Sequence, residues 1–168
     1  MRTAQKTLIG WLLGLLILTA TATAGATMYS DSAALKGVDN GQGVFLFDFD
    51  NPQKLAFYLN VVAGTHENFR RQAVEPNFVV VFIGPTVKYL TTEPDDEIDM
   101  RYQQEMANIA AAIERLDELG VRLEICSIAN EVFGVDNKTV LPGLEVIGDG
   151  FVSLIGYQQQ GYHLVPIF

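Results

Sequence analysis

The sequence predicts an α/β domain built on a five-stranded, mostly parallel sheet with helices on both of its faces. Three observations predict it. Two near-continuous apolar runs, Gly43 to Phe49 and Asn77 to Ile83, have the composition of strands covered on both sides. Each is followed by apolar residues at helical spacing: Leu55, Leu59 and Val62 after the first, and Met106, Ile109, Ala110, Ile113 and Leu116 after the second. Strand and helix patterns then keep alternating to the end of the chain, the order that crossover connections in one parallel sheet produce.

The chain opens with Arg2 and Lys6, an apolar run from Leu8 to Leu18, and the small-residue site Ala22-Thr23-Ala24. Basic, apolar and small-residue regions in that order read as a secretory signal peptide over residues 1–24. The run is short for a transmembrane helix, and an uncleaved signal-anchor is the alternative. A periplasmic or secreted protein is expected, free of the membrane once the signal is cleaved. Residues 25–42 are rich in Ser, Asp, Gly and Ala and read as a flexible lead-in, which leaves 43–168 as one domain with one core. Losing Arg2 and Lys6 moves the formal charge from −9 to −11. A surface this acidic, with no basic patch, argues against nucleic acid or anionic membrane as partners.

The elements follow in order. Asn51-Pro52 starts the first helix, Asn51 as its cap and Pro52 at the first helical position, where the missing N–H costs nothing. His66 to Gln72 carries the tail of that helix or a loop. Gly84-Pro85 breaks the second strand, Thr86 to Leu90 reads as one helical turn, and Thr91 to Asp96 as an acidic loop. The long helix from about Glu97 to Leu119 stops at Gly120. Val121 to Ile125 alternates apolar and polar, the period of a half-buried strand with Arg122 and Glu124 on its wet side. Ser127 to Phe133 is a short helix ended by Gly134. Leu144 to Ile147 is a short strand, Gly148-Asp149-Gly150 a turn, Phe151 to Gln158 the last helix, and Tyr162 to Ile167 the last strand.

The third strand carries the only cysteine of the sequence, Cys126, to the carboxyl ends of the strands and beside a helix start. That is where open α/β sheets place their ligands, and where backbone N–H groups favour a thiolate. One cysteine cannot staple the fold. It is a reactive thiol or a small buried hydrophobe.

At this point the chain resembles the DsrE/DsrF-like sulfur-relay family, which includes TusD-type and YchN-type proteins. The resemblance rests on Asp50-Asn51-Pro52 with Asn60, on Ile83-Gly84-Pro85-Thr86-Val87-Lys88-Tyr89-Leu90, on Leu119-Gly120-Val121 through Ile125-Cys126, on Leu141-Pro142-Gly143-Leu144-Glu145-Val146, and on Gln158 with Gly161-Tyr162. It implies a flavodoxin-like three-layer fold assembled as a trimer or hexamer, and a persulfide carried on Cys126. The partners it implies are a sulfur donor or acceptor, either a thiol protein or a small sulfur species, with no cofactor and no metal. Two departures stand out. Many members follow this cysteine with an Arg-Gly pair where this chain has Phe133-Gly134, and an export signal is foreign to cytosolic relay proteins.

The candidate sites follow. Cys126 is the nucleophile. Gly84 and Pro85 line the same crevice or only punctuate the strand, and Ser127 and Asn130 donate hydrogen bonds to a persulfide or serve the helix start. Asp48 and Asp50 hold a cation or cap a strand end. His66 and His163 are too few and too scattered for a metal site, and His163 is a strand residue near the crevice. Two functions of different class result: an exported, sulfurtransferase-like sulfur carrier working through Cys126, or a non-catalytic oligomeric or small-ligand-binding module of the same fold.

Overall fold

The computed structural model describes residues 30–168, so the signal peptide expected over 1–24 lies outside the described residues. The chain divides between Asp31 and Ser32, and every element of the described residues lies in the unit Ser32–Phe168. In order these are β1 (Asn40–Phe47), α1 (Pro52–Arg71), β2 (Glu75–Phe82), a 3-10 turn (Gly84–Tyr89), α2 (Asp96–Glu118), β3 (Arg122–Cys126), α3 (Ser127–Phe133), β4 (Glu145–Ile147), α4 (Gly150–Gln159) and β5 (His163–Ile167).

All pairings in the sheet are parallel, and its order is β4-β3-β2-β1-β5. From β1 to β4 the chain steps in one direction, so right-handed crossovers lay α1 and α2 side by side on one face. From β4 to β5 it jumps back across the whole sheet, and α4 therefore crosses the opposite face. That reversal separates a face covered by two long helices from a face covered by one short helix.

Local chemistry explains the boundaries. Asn51 Oδ1 accepts from Lys54 N at 2.8 Å and Pro52 occupies the first turn, as the sequence predicts. The polar stretch from His66 continues the helix to Arg71, because one side of it still packs: His66 and Phe69 both meet the Phe78 ring edge-on. Gly120 ends α2 with φ +78, a left-handed value that favours glycine. The first strand begins at Asn40, earlier than its apolar run, because Asn40, Gly41 and Gln42 pair with Glu75, Pro76 and Asn77. Pairing, not hydrophobicity, sets that end. Pro166 is tolerated because β5 is an edge strand.

The core lies mainly under α1 and α2. Phe47 and Phe82 of the sheet are fully buried, as are Leu55 and Leu59 of α1 and Ile109, Ile113 and Leu116 of α2. Each such side chain contributes roughly 1.5–3 kcal/mol relative to exposure. One expectation is overturned here. The alternation of Val121 to Ile125 places Glu124 on a wet face, yet Glu124 is 3% exposed. Alternation reports only that two faces differ, and α4, which arrives from later in the chain, covers the polar one.

Candidate functional site

Cys126 ends β3 at the carboxyl edge of the sheet, as the sequence predicts, and is 5% exposed. The helix that reaches its sulfur is not the expected one. α3 follows Cys126 directly, but the N–H aimed at Sγ is that of Gly150, the first residue of α4, at 3.3 Å. An N–H at the amino terminus of a helix carries the positive end of its dipole, so α4 favours negative charge on this sulfur. Gly150 is also the only residue type that fits there. A Cβ would collide with Ile83 Cγ2 and lie 3.3 Å from Cys126 Cβ and 3.6 Å from Sγ.

A cavity of about 240 Å³ opens beside the thiol. Its mouth is apolar, formed by Ile128, Val132, Phe133 and Phe151, and two carboxylates, Asp48 and Asp149, stand in its wall. No Lys, Arg or His is among the described residues that line it. Phe133 occupies this mouth where the resemblance leads one to expect Arg. Among the described residues, the hydrogen-bond donor to this sulfur is thus a backbone group, the Gly150 N–H.

The other sequence candidates distribute unevenly around this cavity. Gly84 lines it, and its φ of +56 and its closeness to Asp48, whose carboxylate a Cβ would strike, both require glycine. Pro85 does not line it and serves as the start of the 3-10 turn. Ser127 and Asn130 do not line it either. Ser127 Oγ donates to Gly148 O at 3.0 Å, tying the start of α3 to the turn before α4. Asn130 is fully buried, and its Nδ2 donates to Asn137 Oδ1 at 2.8 Å. Asp48 and Asp50 do not converge. Asp50 accepts from Lys88 Nζ at 2.8 Å and from Tyr89 Oη at 2.5 Å. Burial pushes the Asp50 carboxyl up, but the hydrogen bonds from Lys88 and Tyr89 and the Lys88 charge outweigh it and hold it below the usual value. Burial and then Asp50 raise the Tyr89 phenol well above its ordinary range. With Thr86 Oγ1 bridging Phe49 N and O, these contacts weld the 3-10 turn to the end of β1.

Sequence reasoning missed a second cluster on the same face. Glu124, two residues before Cys126 on β3, accepts from Tyr157 Oη at 2.6 Å and from Ser153 Oγ, with Arg122 at 3.8 Å. Burial and then the Glu124 bond push the Tyr157 phenol up to about 12. The available signal was a pair of hydroxyl residues four apart on a mostly apolar helix, which puts both on one side of it. His163 lies elsewhere, in an apolar cavity of about 580 Å³ on the α1 face beside Tyr58, Phe69 and Phe78. It is not near the thiol crevice. Among the described residues no group of three or more His, Cys, Asp or Glu side chains is placed to hold a metal ion, and no helix is long and apolar enough to cross a membrane.

The comparisons with known proteins agree with this geometry. A family model described as the DsrE/DsrF-like family matches residues 42–167. No curated protein matches the chain. Among solved structures, the protein of unknown function MTH1491 from Methanobacterium thermoautotrophicum superposes with a TM-score of 0.58 at 20% identity, covering 76% of this chain and 99% of that one. The ychN protein from E. coli gives 0.56 at 14% identity, over 76% and 99%. The conserved protein of unknown function BT1422 from Bacteroides thetaiotaomicron gives 0.52 at 19% identity, over 83% and 100%. At these identities the likeness establishes the fold, a flavodoxin-like three-layer α/β domain.

Proposed function

The chain belongs to the DsrE/DsrF-like family, and from that premise we propose that it is a sulfur carrier that holds sulfane sulfur as a persulfide on Cys126. The observation that carries this reading is a single thiol at a strand end, facing a cavity, with the Gly150 N–H aimed at its sulfur. The cavity of about 240 Å³ has room for one more sulfur atom. In loading, the Cys126 thiolate attacks the outer sulfur of a donor persulfide R–S–SH. The donor S–S bond breaks, RS⁻ leaves, and Cys126–S–SH forms with the proton on its terminal sulfur. In delivery, an acceptor thiolate attacks that terminal sulfur and the Cys126 thiolate leaves. Gly150 N–H stabilises the charge on Sγ at the beginning of the first step and the end of the second.

Two further parts of the proposal concern setting. The signal-like order of Arg2 and Lys6, the apolar run from Leu8 to Leu18 and Ala22-Thr23-Ala24 supports an exported, periplasmic or secreted carrier. The exposed apolar side chains of α4, Phe151, Val152 and Ile155, support assembly of several copies into a trimer or hexamer. The test is intact-protein mass spectrometry before and after exposure to polysulfide, with Cys126→Ser alongside. One added sulfur, removed by reductant and absent from Cys126→Ser, is the expected result. An unmodified thiol, or the same gain in the mutant, sinks the carrier. One observation favours a second reading, a small-ligand-binding module: the apolar cavity of about 580 Å³ on the α1 face is of a size that holds small molecules.

A further inference from the structure

We propose that Glu124 is the latch that seats α4 over Cys126, a positioning residue for the thiol and not a participant in sulfur transfer. The proposal rests on Cys126 as the working atom and adds to it the device that sets the geometry there. α4 buries few of its own side chains, Gly150 and Leu154 fully and Tyr157 in part, over Val44, Val79 and Val81 of the sheet, while Phe151, Val152 and Ile155 face outward. Flat apolar contact of this kind sets no register, which polar contacts specify. The Glu124 carboxylate, 3% exposed, accepts from Tyr157 Oη at 2.6 Å and from Ser153 Oγ, one turn apart on the helix. Both oxygens are thus committed to α4, and Arg122 Nη1 balances the charge from 3.8 Å.

A buried carboxylate is a poor source of net stability, because apolar side chains of similar volume commonly do as well. Its value is directional. Two hydrogen bonds to one planar group fix both the translation and the rotation of a helix in a way that the single buried Leu154 does not. Ser153, the nearer of the two partners, lies about one turn from Gly150, so the latch also sets that end of the helix. Gly150 N lies 3.3 Å from Sγ, and the fit leaves no room for a Cβ against Ile83. A small displacement of α4 therefore removes the donor from the sulfur and uncovers it. Glu124 and Cys126 stand two residues apart on one face of β3, so the latch and the thiol share a strand and α4 bridges them.

The experiment uses the ¹⁵N-labelled full-length chain and follows the Gly150 amide resonance together with the rate of Cys126 alkylation by iodoacetamide. Glu124→Ala is expected to shift the Gly150 amide, to lower its protection from exchange, and to speed alkylation several-fold, because uncovering the buried sulfur outweighs the loss of one donor to it. Glu124→Gln is expected to restore both readouts to near wild type, because its amide oxygen still accepts from Tyr157 and its NH₂ can donate to Ser153 Oγ. If Glu124→Ala lowers stability but leaves the Gly150 resonance and the alkylation rate unchanged, Glu124 is structural only and the proposal is overturned. If Glu124→Gln alkylates like Glu124→Ala, charge and not seating is the active property, and the proposal is equally overturned. Tyr157→Phe and Ser153→Ala give the same readouts should Glu124→Ala fail to fold. Polysulfide loading of the wild type, measured in parallel, decides the carrier reading separately: its failure leaves the Gly150 result to decide the latch.

Discussion

On one face of the sheet, helices of 20 and 23 residues bury Leu55, Leu59, Ile109, Ile113 and Leu116 against Phe47 and Phe82. On the other, a helix of 10 residues buries Gly150 and Leu154 and hydrogen-bonds to a submerged carboxylate. The first face is thick and apolar; the second is thin, and adds a buried, directional carboxylate to Val44, Val79, Val81 and Leu154. Both hang on the same strands, so the rigid face supplies a fixed floor on which the thin one holds a thiol, a glycine N–H and a carboxylate in register. Stability and chemistry are thus assigned to opposite sides of one sheet, and substitutions on the two sides should fail differently.

The largest effect belongs to the thick face. Phe82→Ala removes a fully buried ring and is expected to cost about 3–5 kcal/mol in urea unfolding, while a surviving folded fraction keeps its native thiol reactivity. Tyr157→Phe, on the thin face, removes a donor to a buried carboxylate and is expected to cost about 1.5–3 kcal/mol. Unlike Phe82→Ala it should also alter Cys126 alkylation, and a pure stability loss would erase the contrast between the faces. Gly150→Ala presses a methyl group onto Ile83 and Cys126 and should cost about 1–3 kcal/mol by overpacking, again with changed thiol reactivity.

Smaller effects sharpen the comparison. Phe133→Arg puts a cation at the mouth of the thiol cavity and should speed alkylation near neutral pH several-fold, an effect of about 1 kcal/mol for a charge in a largely aqueous mouth. No acceleration would mean that the aromatic residue there does not limit the thiol. On the thick face, His66 is buried with its Nδ1 unpartnered. Burial, and then the Arg70 charge, lower its pKa from 6.5. The unfolded chain therefore takes up a proton near pH 6.5 that the folded chain refuses. Stability is complete above that pH and declines as pH falls toward the folded pKa. Melting should accordingly drop more between pH 7.5 and about 5.5 for wild type than for His66→Phe, and equal drops would contradict the assignment.

The thick face was the legible one. Apolar runs such as Asn77 to Ile83, the Asn51-Pro52 start and the Gly120 stop are local signals, and each identifies its element from within a few residues. Cys126 at a strand end was legible for the same reason. The thin face depends on encounters between segments far apart in the chain. Glu124 reads as solvent-facing until Ser153 and Tyr157 arrive 29 and 33 positions later. Gly150 reads as part of a turn until the reversal in strand order brings it against Cys126. Local pattern reports periodicity and caps, and it is silent about which distant helix covers a face.

The most direct measurement of the central claim, that the thin face is built to hold sulfur, is the lifetime of a persulfide on each face. Cys126→Ser combined with Gln104→Cys moves the thiol to an exposed position on α2. Both the wild type and this variant would be loaded with polysulfide and followed by intact mass in excess competing thiol. The account predicts that sulfur on Cys126, shielded in its cavity from the competing thiol, outlasts sulfur on the exposed α2 cysteine. Equal lifetimes, or faster loss from Cys126, would contradict it.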